Sequence, residues 1–175
     1  MREISDRDLV AKCLNGDNTA FDQLVLRYQL PMYRTALQIV QDESLARDIT
    51  QNGFIKSWEK LHTYNSKYRF YSWLYKIIIN ESLNKKRSLR KMDDLEMIET
   101  SNETPYAQMV QNEEKEKLHK AISLLTEEQK IVIHLRHFEE LSYQEISDVL
   151  DIEMKTVKSR LYSARMKLRE ILQPN

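Results

Sequence analysis

ELSYQEISDVLDIEMKTVKSRLYSARMKLRE, residues 140–170, decides how this chain is read. Ser142 with Glu145 forms a capping box, and an apolar pattern at helical spacing follows it. A short polar turn leads into a second helix, expected to begin near Thr156. That helix carries six basic residues and no acid between Met154 and Arg169. Two helices joined by a short turn, the second of them basic, make a helix-turn-helix. The chain as a whole has no net charge, so its cations are gathered where they can meet phosphate. A second gathering lies at 84–92, where Lys85, Lys86, Arg87, Arg90 and Lys91 stand without an acid among them. Two basic helices on one neutral protein point to a DNA reader with two footprints.

Working outward, the 175 residues suffice for one large domain or two small ones. Only two glycines and three prolines occur, too few for the turns that sheets require. The expected fold is therefore all-α. Charge divides the chain: from 93 to 114 there are seven acids and no Lys or Arg, the composition of a solvated linker. The organisation expected is two small helical domains, 1–90 and 113–175, joined by an acidic flexible linker at 91–112. A shielding role for that linker, covering the basic helices until they are needed, follows from the charge contrast.

Several function classes are disfavoured. The single cysteine, Cys13, allows no internal disulfide and no Cys cluster for zinc. No apolar run approaches the length of a membrane span, and the charged N-terminus lacks the apolar core of a signal peptide. The protein is expected in the cytoplasm, without membrane insertion. No glycine-rich phosphate loop or nucleophile elbow is present, so neither catalytic residues nor cofactors are expected. His134 and His137 have no third ligand near in sequence and read as surface or capping histidines, not a metal pair.

In the first domain, Ser5 and Asp8 form a capping pair and Gly16 a helix stop. Phe21, Leu24, Val25 and Tyr28, then Met32, Ala36, Leu37 and Val40, continue an apolar face that Pro31 should bend or split. Asp42 caps a helix running to about Lys60, residues 62–67 form a loop, and a last helix starts near Arg69. The second domain opens with a helix around 117–125, then a capping box from Thr126 and Gln129.

Three surfaces could carry function. On the final helix Val157, Leu161, Ala164, Leu168 and Ile171 recur every four or three residues and should pack inward. Lys155, Lys158, Ser159, Tyr162, Arg165 and Arg169 then face out, the first four toward base edges and Arg165 toward phosphate. Arg160 lies on a flank, able to reach phosphate or an acid. On the helix after the loop, Trp73, Ile77, Asn80, Asn84, Arg87 and Lys91 share a stripe that turns from aromatic to amide to basic. With Tyr64, Tyr68, Phe70 and Tyr71 before it, this suits unstacked bases running into duplex backbone. Trp73 and Ile77 themselves read as core sooner than as a base platform. On the third helix Leu45, Ile49 and Gly53 face inward, while Asp48, Gln51, Ile55 and Trp58 mark another face. That face is either a protein-docking ridge or a place where Trp58 packs on a neighbour.

These residues resemble a known family. DRDLVAKCLNGDNTAFDQLVLRYQLPMYRTA, SLARDITQNGFIKSWEKL, YRFYSWLYKIIINESLNKKR and LSYQEISDVLDIEMKTVKSRLYSARMKLRE, in this order, resemble the bacterial RNA polymerase sigma factors of the small extracytoplasmic-function group. The resemblance implies a promoter-directing initiation factor that is not itself an enzyme. It implies docking of Asp48, Gln51, Phe54, Ile55 and Trp58 on the clamp helices of the polymerase's largest subunit. Tyr64, Asn65, Ser66, Lys67, Phe70, Trp73, Asn80, Asn84 and Arg87 would melt and read the minus-ten element, the loop at 62–68 capturing a flipped base. Lys155, Thr156, Lys158, Ser159, Arg160, Tyr162 and Arg165 would read the minus-thirty-five element. Implied partners are RNA polymerase core, promoter DNA and an anti-sigma protein. Against the family pattern, Asn84 stands where Asp is common, and Glu140, Asp151 and Lys155 stand where Gly is frequent. Gly53 inside a helix should cost about 1 kcal/mol against Ala. A stand-alone helix-turn-helix regulator with a sensing N-terminal domain is the competing reading.

Overall fold

The computed structural model describes residues 4–96 and 113–173. Among them every regular element is helical, in two compact units, the first ending at Glu96. The first unit holds α1 (Asp6–Leu14), α2 (Asn18–Val40), α3 (Glu43–Glu59), a 3-10 turn (Leu61–Thr63) and α4 (Phe70–Glu96). The second holds α5 (Glu113–Ser123), α6 (Glu127–His137), α7 (Tyr143–Leu150) and α8 (Met154–Leu172).

Local chemistry sets the helix ends. The Ser5 hydroxyl accepts from the Asp8 amide at 3.2 Å and donates to its carboxylate at 2.7 Å. Gly16, with φ +94°, takes the left-handed turn that ends α1. Asp17 and Asp42 open α2 and α3 by accepting from the amides of Thr19 and Leu45, at 3.1 and 2.7 Å. Pro31 does not split α2, which runs unbroken across it. Leu24 and Met32, on either side of the proline, are both fully buried, and that burial on one face outweighs the missing amide. Around them Leu9, Ala36, Ile49, Leu74 and Ile78 complete the first core.

Two polar ties fasten the helices of this unit. Lys56 on α3 pairs with Glu81 on α4 at 2.6 Å. Lys86 donates to the carbonyl of Ile39 in the last turn of α2, at 2.8 Å. One cation of the 84–92 cluster thus satisfies an acceptor that α2 leaves open. The helix continues past Arg90 to Glu96. The expected linker at 91–112 is therefore helical over its first part, and from 97 to 112 it lies outside the described residues, as does its shielding role.

In the second unit both expected capping boxes are closed. Thr126 and Gln129 exchange bonds at 3.0 and 3.3 Å, Ser142 and Glu145 at 2.8 and 3.2 Å. Asp151 ends α7 with φ 57°, and Glu140 precedes it with φ 55°. Both are positions where the family pattern favours Gly, and both adopt the left-handed backbone that Gly enters without strain. The last helix starts at Met154, a little before Thr156. Val132, Leu135, Ile146, Val157, Leu161 and Ala164 form the second core. Lys167 ties α8 to the carbonyl of Leu124 at 2.6 Å, and Gln129 reaches Ser163 at 2.9 Å.

The expected cost of Gly53 is reversed by its neighbour. A Cβ at that position would lie 2.2 Å from Cδ1 of Ile78 on α4. Ile78 is fully buried, so its side chain has little room to yield. Glycine is what lets α3 and α4 approach. Gly53→Ala should therefore destabilise the protein by about 1 kcal/mol or more in urea unfolding, where an unconstrained helix would gain from alanine. Combining it with Ile78→Val, which deletes the offending methyl, should recover part of the loss beyond the additive sum of the two changes. A Gly53→Ala protein as stable as its parent would contradict this packing.

Candidate nucleic-acid interface and docking surface

The helix-turn-helix presents its basic face as its sequence period requires. Val157, Leu161 and Ala164 are buried, while Lys155, Lys158, Ser159, Tyr162, Arg165 and Arg169 are exposed. Tyr162 is 68% exposed, a large share for a tyrosine. Thr156 and Arg160 are half-buried on the flanks, and Leu168 and Ile171 are half-buried rather than core. Arg160 faces an acid. The Glu128 carboxyl is held below its ordinary value chiefly by its own backbone N–H, against some desolvation, with help from the Thr126 hydroxyl and the Arg160 charge. Lys155 pairs with Glu153 at 3.1 Å, but both side chains are strongly exposed. Such a pair is weak and exchanges readily for phosphate.

The two histidines serve separate purposes. His134 is buried, stacks on Phe138 and lies 3.4 Å from Glu139. His137 is exposed, and its Nε2 meets the Arg165 guanidinium at 3.3 Å. Arg165 can only donate, so Nε2 accepts and the ring is neutral in this contact. No cluster of three or more metal-ligating side chains occurs among the described residues.

In the first unit the polar half of the stripe faces solvent: Asn80, Asn84, Arg87 and Lys91 are exposed. Trp73 and Ile77 are half-buried, so neither is wholly core. Asn65, Ser66 and Lys67 are exposed on the loop, and Tyr64 is half-buried. Phe70 requires a correction. Expected among the residues that read the minus-ten element, it is 1% exposed. Its ring opens α4 beneath Tyr28, Tyr64 and Trp73, at centroid distances of 5.9, 5.6 and 5.7 Å. Those rings exclude any base from it, and its contribution is to support them. The exposed aromatic of this region is Tyr68, at 54%. The sequence grouped it with Tyr64, Phe70 and Tyr71 as suited to unstacked bases but left it out of the residues expected to read the minus-ten element, because a residue between helices belongs to no periodic pattern.

On the face of α3, Trp58 packs on a neighbouring helix and still leaves part of its surface exposed. Asp48, Gln51, Ile55 and Trp58 are exposed, while one side of the Trp58 ring packs on Phe21 of α2 at 4.9 Å. Phe54, expected among the docking residues, is only 7% exposed. It forms part of the lining of an open groove of about 990 Å³ between α2 and α3. Val25, Leu30 and Tyr33 of α2 supply the opposite wall, which the pattern on α3 alone could not indicate. Leu30, Ile55 and Trp58 leave apolar surface exposed at its rim, as a protein-docking site does.

Comparison with known proteins identifies the family. Residues 24–92 match sigma-70 region 2, and residues 115–168 match sigma-70, region 4. The RNA polymerase sigma-H factor of Pseudomonas aeruginosa is 35% identical, over 97% of this chain and 94% of its own length. The ECF RNA polymerase sigma-E factor of Haemophilus influenzae is 29% identical, over 98% and 97%. Among solved structures, CnrH in complex with the cytosolic domain of CnrY has a TM-score of 0.74 at 25% identity, covering 97% of this chain and 98% of that one. The sigma factor RpoE in complex with the anti-sigma factor NepR from Bartonella quintana has a TM-score of 0.73 at 25% identity, covering 89% and 98%. The chain belongs to the sigma-70 family of RNA polymerase sigma factors, in its extracytoplasmic-function group, and is a factor that directs transcription to promoters. The stand-alone regulator is set aside by the region 2 match over its N-terminal half.

Partial desolvation, and then the charges of Arg165 and Arg136, push the His137 pKa below its ordinary value of 6.5. A depressed folded pKa gives stability that is complete above the unfolded value and is lost as pH falls through the folded one. The parent protein should therefore lose more thermal stability between pH 7.5 and pH 5 than His137→Gln does. Identical pH profiles for the two proteins would remove His137 from the account.

Proposed function

We propose that the two units of this sigma factor read separate parts of one promoter. The second unit reads the minus-thirty-five element, with Lys155, Lys158, Ser159 and Tyr162 toward base edges and Arg165 toward phosphate. Thr156 and Arg160 support that face from its flanks. The first unit opens and reads the minus-ten element through the loop at 62–68 and the polar stripe of Asn80, Asn84 and Arg87. The α2–α3 groove, rimmed by Gln51, Ile55 and Trp58, docks on the clamp helices of the largest polymerase subunit, with Asp48 beside it. The observation that carries this reading is the solvent exposure of both cation-bearing faces, on α4 and α8, in a chain of no net charge. Family membership supplies the rest.

In this reading the protein is not an enzyme; it lends promoter choice to the polymerase. Its place is the cytoplasm, where polymerase and promoter are. No helix among the described residues is long and apolar enough to cross a membrane. The domain boundaries proposed remain near 90 and 113, with an acidic linker between. The similar sigma factor RpoE has been solved with the anti-sigma factor NepR, and a comparable partner is proposed here.

RNA polymerase core supplied with this protein should initiate at a subset of promoters that core alone ignores. A complete absence of specific transcripts, together with no capture of core, would contradict the proposal. Trp58→Ala should weaken core binding at least tenfold, as loss of a central aromatic contact does, while unchanged affinity would exclude Trp58 from the docking surface. Arg165→Ala in holoenzyme should weaken upstream duplex binding and lower the log–log salt slope by about 1. An unaltered slope would mean that Arg165 meets no phosphate.

A further inference from the structure

The cations of α8 differ in what they lean on. Lys155 pairs with the Glu153 carboxylate at 3.1 Å. Arg160 faces the Glu128 carboxylate. Lys167 donates to the carbonyl of Leu124 at 2.6 Å. Arg165 meets a side chain of another kind. Its guanidinium lies 3.3 Å from Nε2 of His137, the last residue of α6. A carboxylate partner offsets the charge of a cation and competes with phosphate for it. A neutral imidazole does neither. It accepts from one N–H of the guanidinium and leaves its charge and its other donors available.

The end of α6 that carries His137 is held in place. Phe138, next in the chain, stacks on His134 with 5.7 Å between ring centroids. The amides of Phe138 and Glu139 both donate to the His134 carbonyl, at 2.9 and 3.2 Å. Arg136 is engaged toward α7, donating to the Leu141 carbonyl at 2.9 Å and lying over the Tyr143 ring at 5.3 Å. On the other helix, Leu161 and Ala164 beside Arg165 are buried. Arg165 therefore leaves α8 at the border of its reading face, three residues on from the exposed Tyr162. The histidine must be neutral to accept here, and its surroundings favour that form. Partial desolvation, followed by the charges of Arg165 and Arg136, lowers its pKa. At neutral pH Nδ1 then carries the proton and Nε2 the lone pair.

We infer that His137 is a positioning residue for the upstream DNA contact, its Nε2 holding the Arg165 guanidinium beside the reading face of α8 for a backbone phosphate. This rests on the proposed reading of Arg165 as a phosphate contact and adds α6 to that site. An arginine side chain gives up much rotamer freedom when it is fixed on a phosphate. One already held gives up less, so His137 raises affinity without touching DNA. It brings no charge of its own, so the counterions released on binding are the same with it or without it.

The test uses holoenzyme assembled from the full chain and RNA polymerase core, with core alone as baseline, at neutral pH. The probe is a duplex promoter fragment mapped from transcript starts, and its dissociation constant is measured across a range of salt. Arg165→Ala sets the size of the contact. His137→Leu should lower affinity about fivefold, the worth of one hydrogen bond, and keep the salt slope of the parent. His137→Gln, whose amide oxygen can take the place of Nε2, should restore the affinity. In the Arg165→Ala background His137→Leu should cost nothing further. Parent-like affinity in His137→Leu, or an equal loss in both backgrounds, would overturn the positioning role. So would a His137→Gln protein as weak as His137→Leu. If Arg165→Ala itself binds as the parent does, the phosphate contact falls and the inference with it. A parent holoenzyme that binds the fragment no better than core alone would instead refute the promoter-reading role.

Discussion

Burial of one apolar stripe on each helix governs everything else in this protein. On α8, Val157, Leu161 and Ala164 go inward, and Lys155, Lys158, Tyr162 and Arg165 have no choice but to face water. On α4, Leu74, Ile78 and Ser82 go inward, and Asn80, Asn84 and Arg87 are turned out by the same geometry. Hydrophobic burial fixes the rotation of each helix, and the cationic and amide side chains occupy what is left. A chain with no net charge thereby presents two strongly positive faces without acquiring the self-repulsion of a basic protein.

Polar side chains then refine what burial sets. Lys86 is drawn from the basic cluster to close the end of α2, and Arg160 is turned toward Glu128 on α6. His137 meets the guanidinium of Arg165. Each of these cations sits in a segment that the sequence reads as DNA-facing, yet each has an internal partner. Counting basic residues in a window therefore overstates the number that can meet phosphate. The side chains most available on α8 are those without an acid or carbonyl in reach, and Lys155 with its weak, exposed partner belongs nearly with them.

The sequence revealed what depends on neighbours along the chain and hid what depends on neighbours in space. Capping boxes at Thr126 and Ser142 are four-residue signals, and both are closed as read. The face of α8 follows from a period of 3.6 residues and needs no tertiary knowledge. Gly53 was misjudged because its reason lies on another helix, in a single methyl of Ile78. Phe70 was misplaced because the onset of α4 gives its first residue no periodic context, and a ring there can turn in or out. Half of the α2–α3 groove was missed because α2 builds its second wall. Glu140 and Asp151 stood out from the family pattern before their left-handed backbone was seen, and that departure carried real conformational information.

The central claim is that two separately folded faces meet two separate elements of one start site. A photoreactive amino acid placed at position 162 or at position 84, in holoenzyme bound to a promoter mapped from transcript starts, tests this directly. The account predicts crosslinks from position 162 to duplex near the minus-thirty-five element, and from position 84 to the minus-ten region. Crosslinks from both positions to the same stretch of DNA, or none from either in a holoenzyme that transcribes, would contradict it.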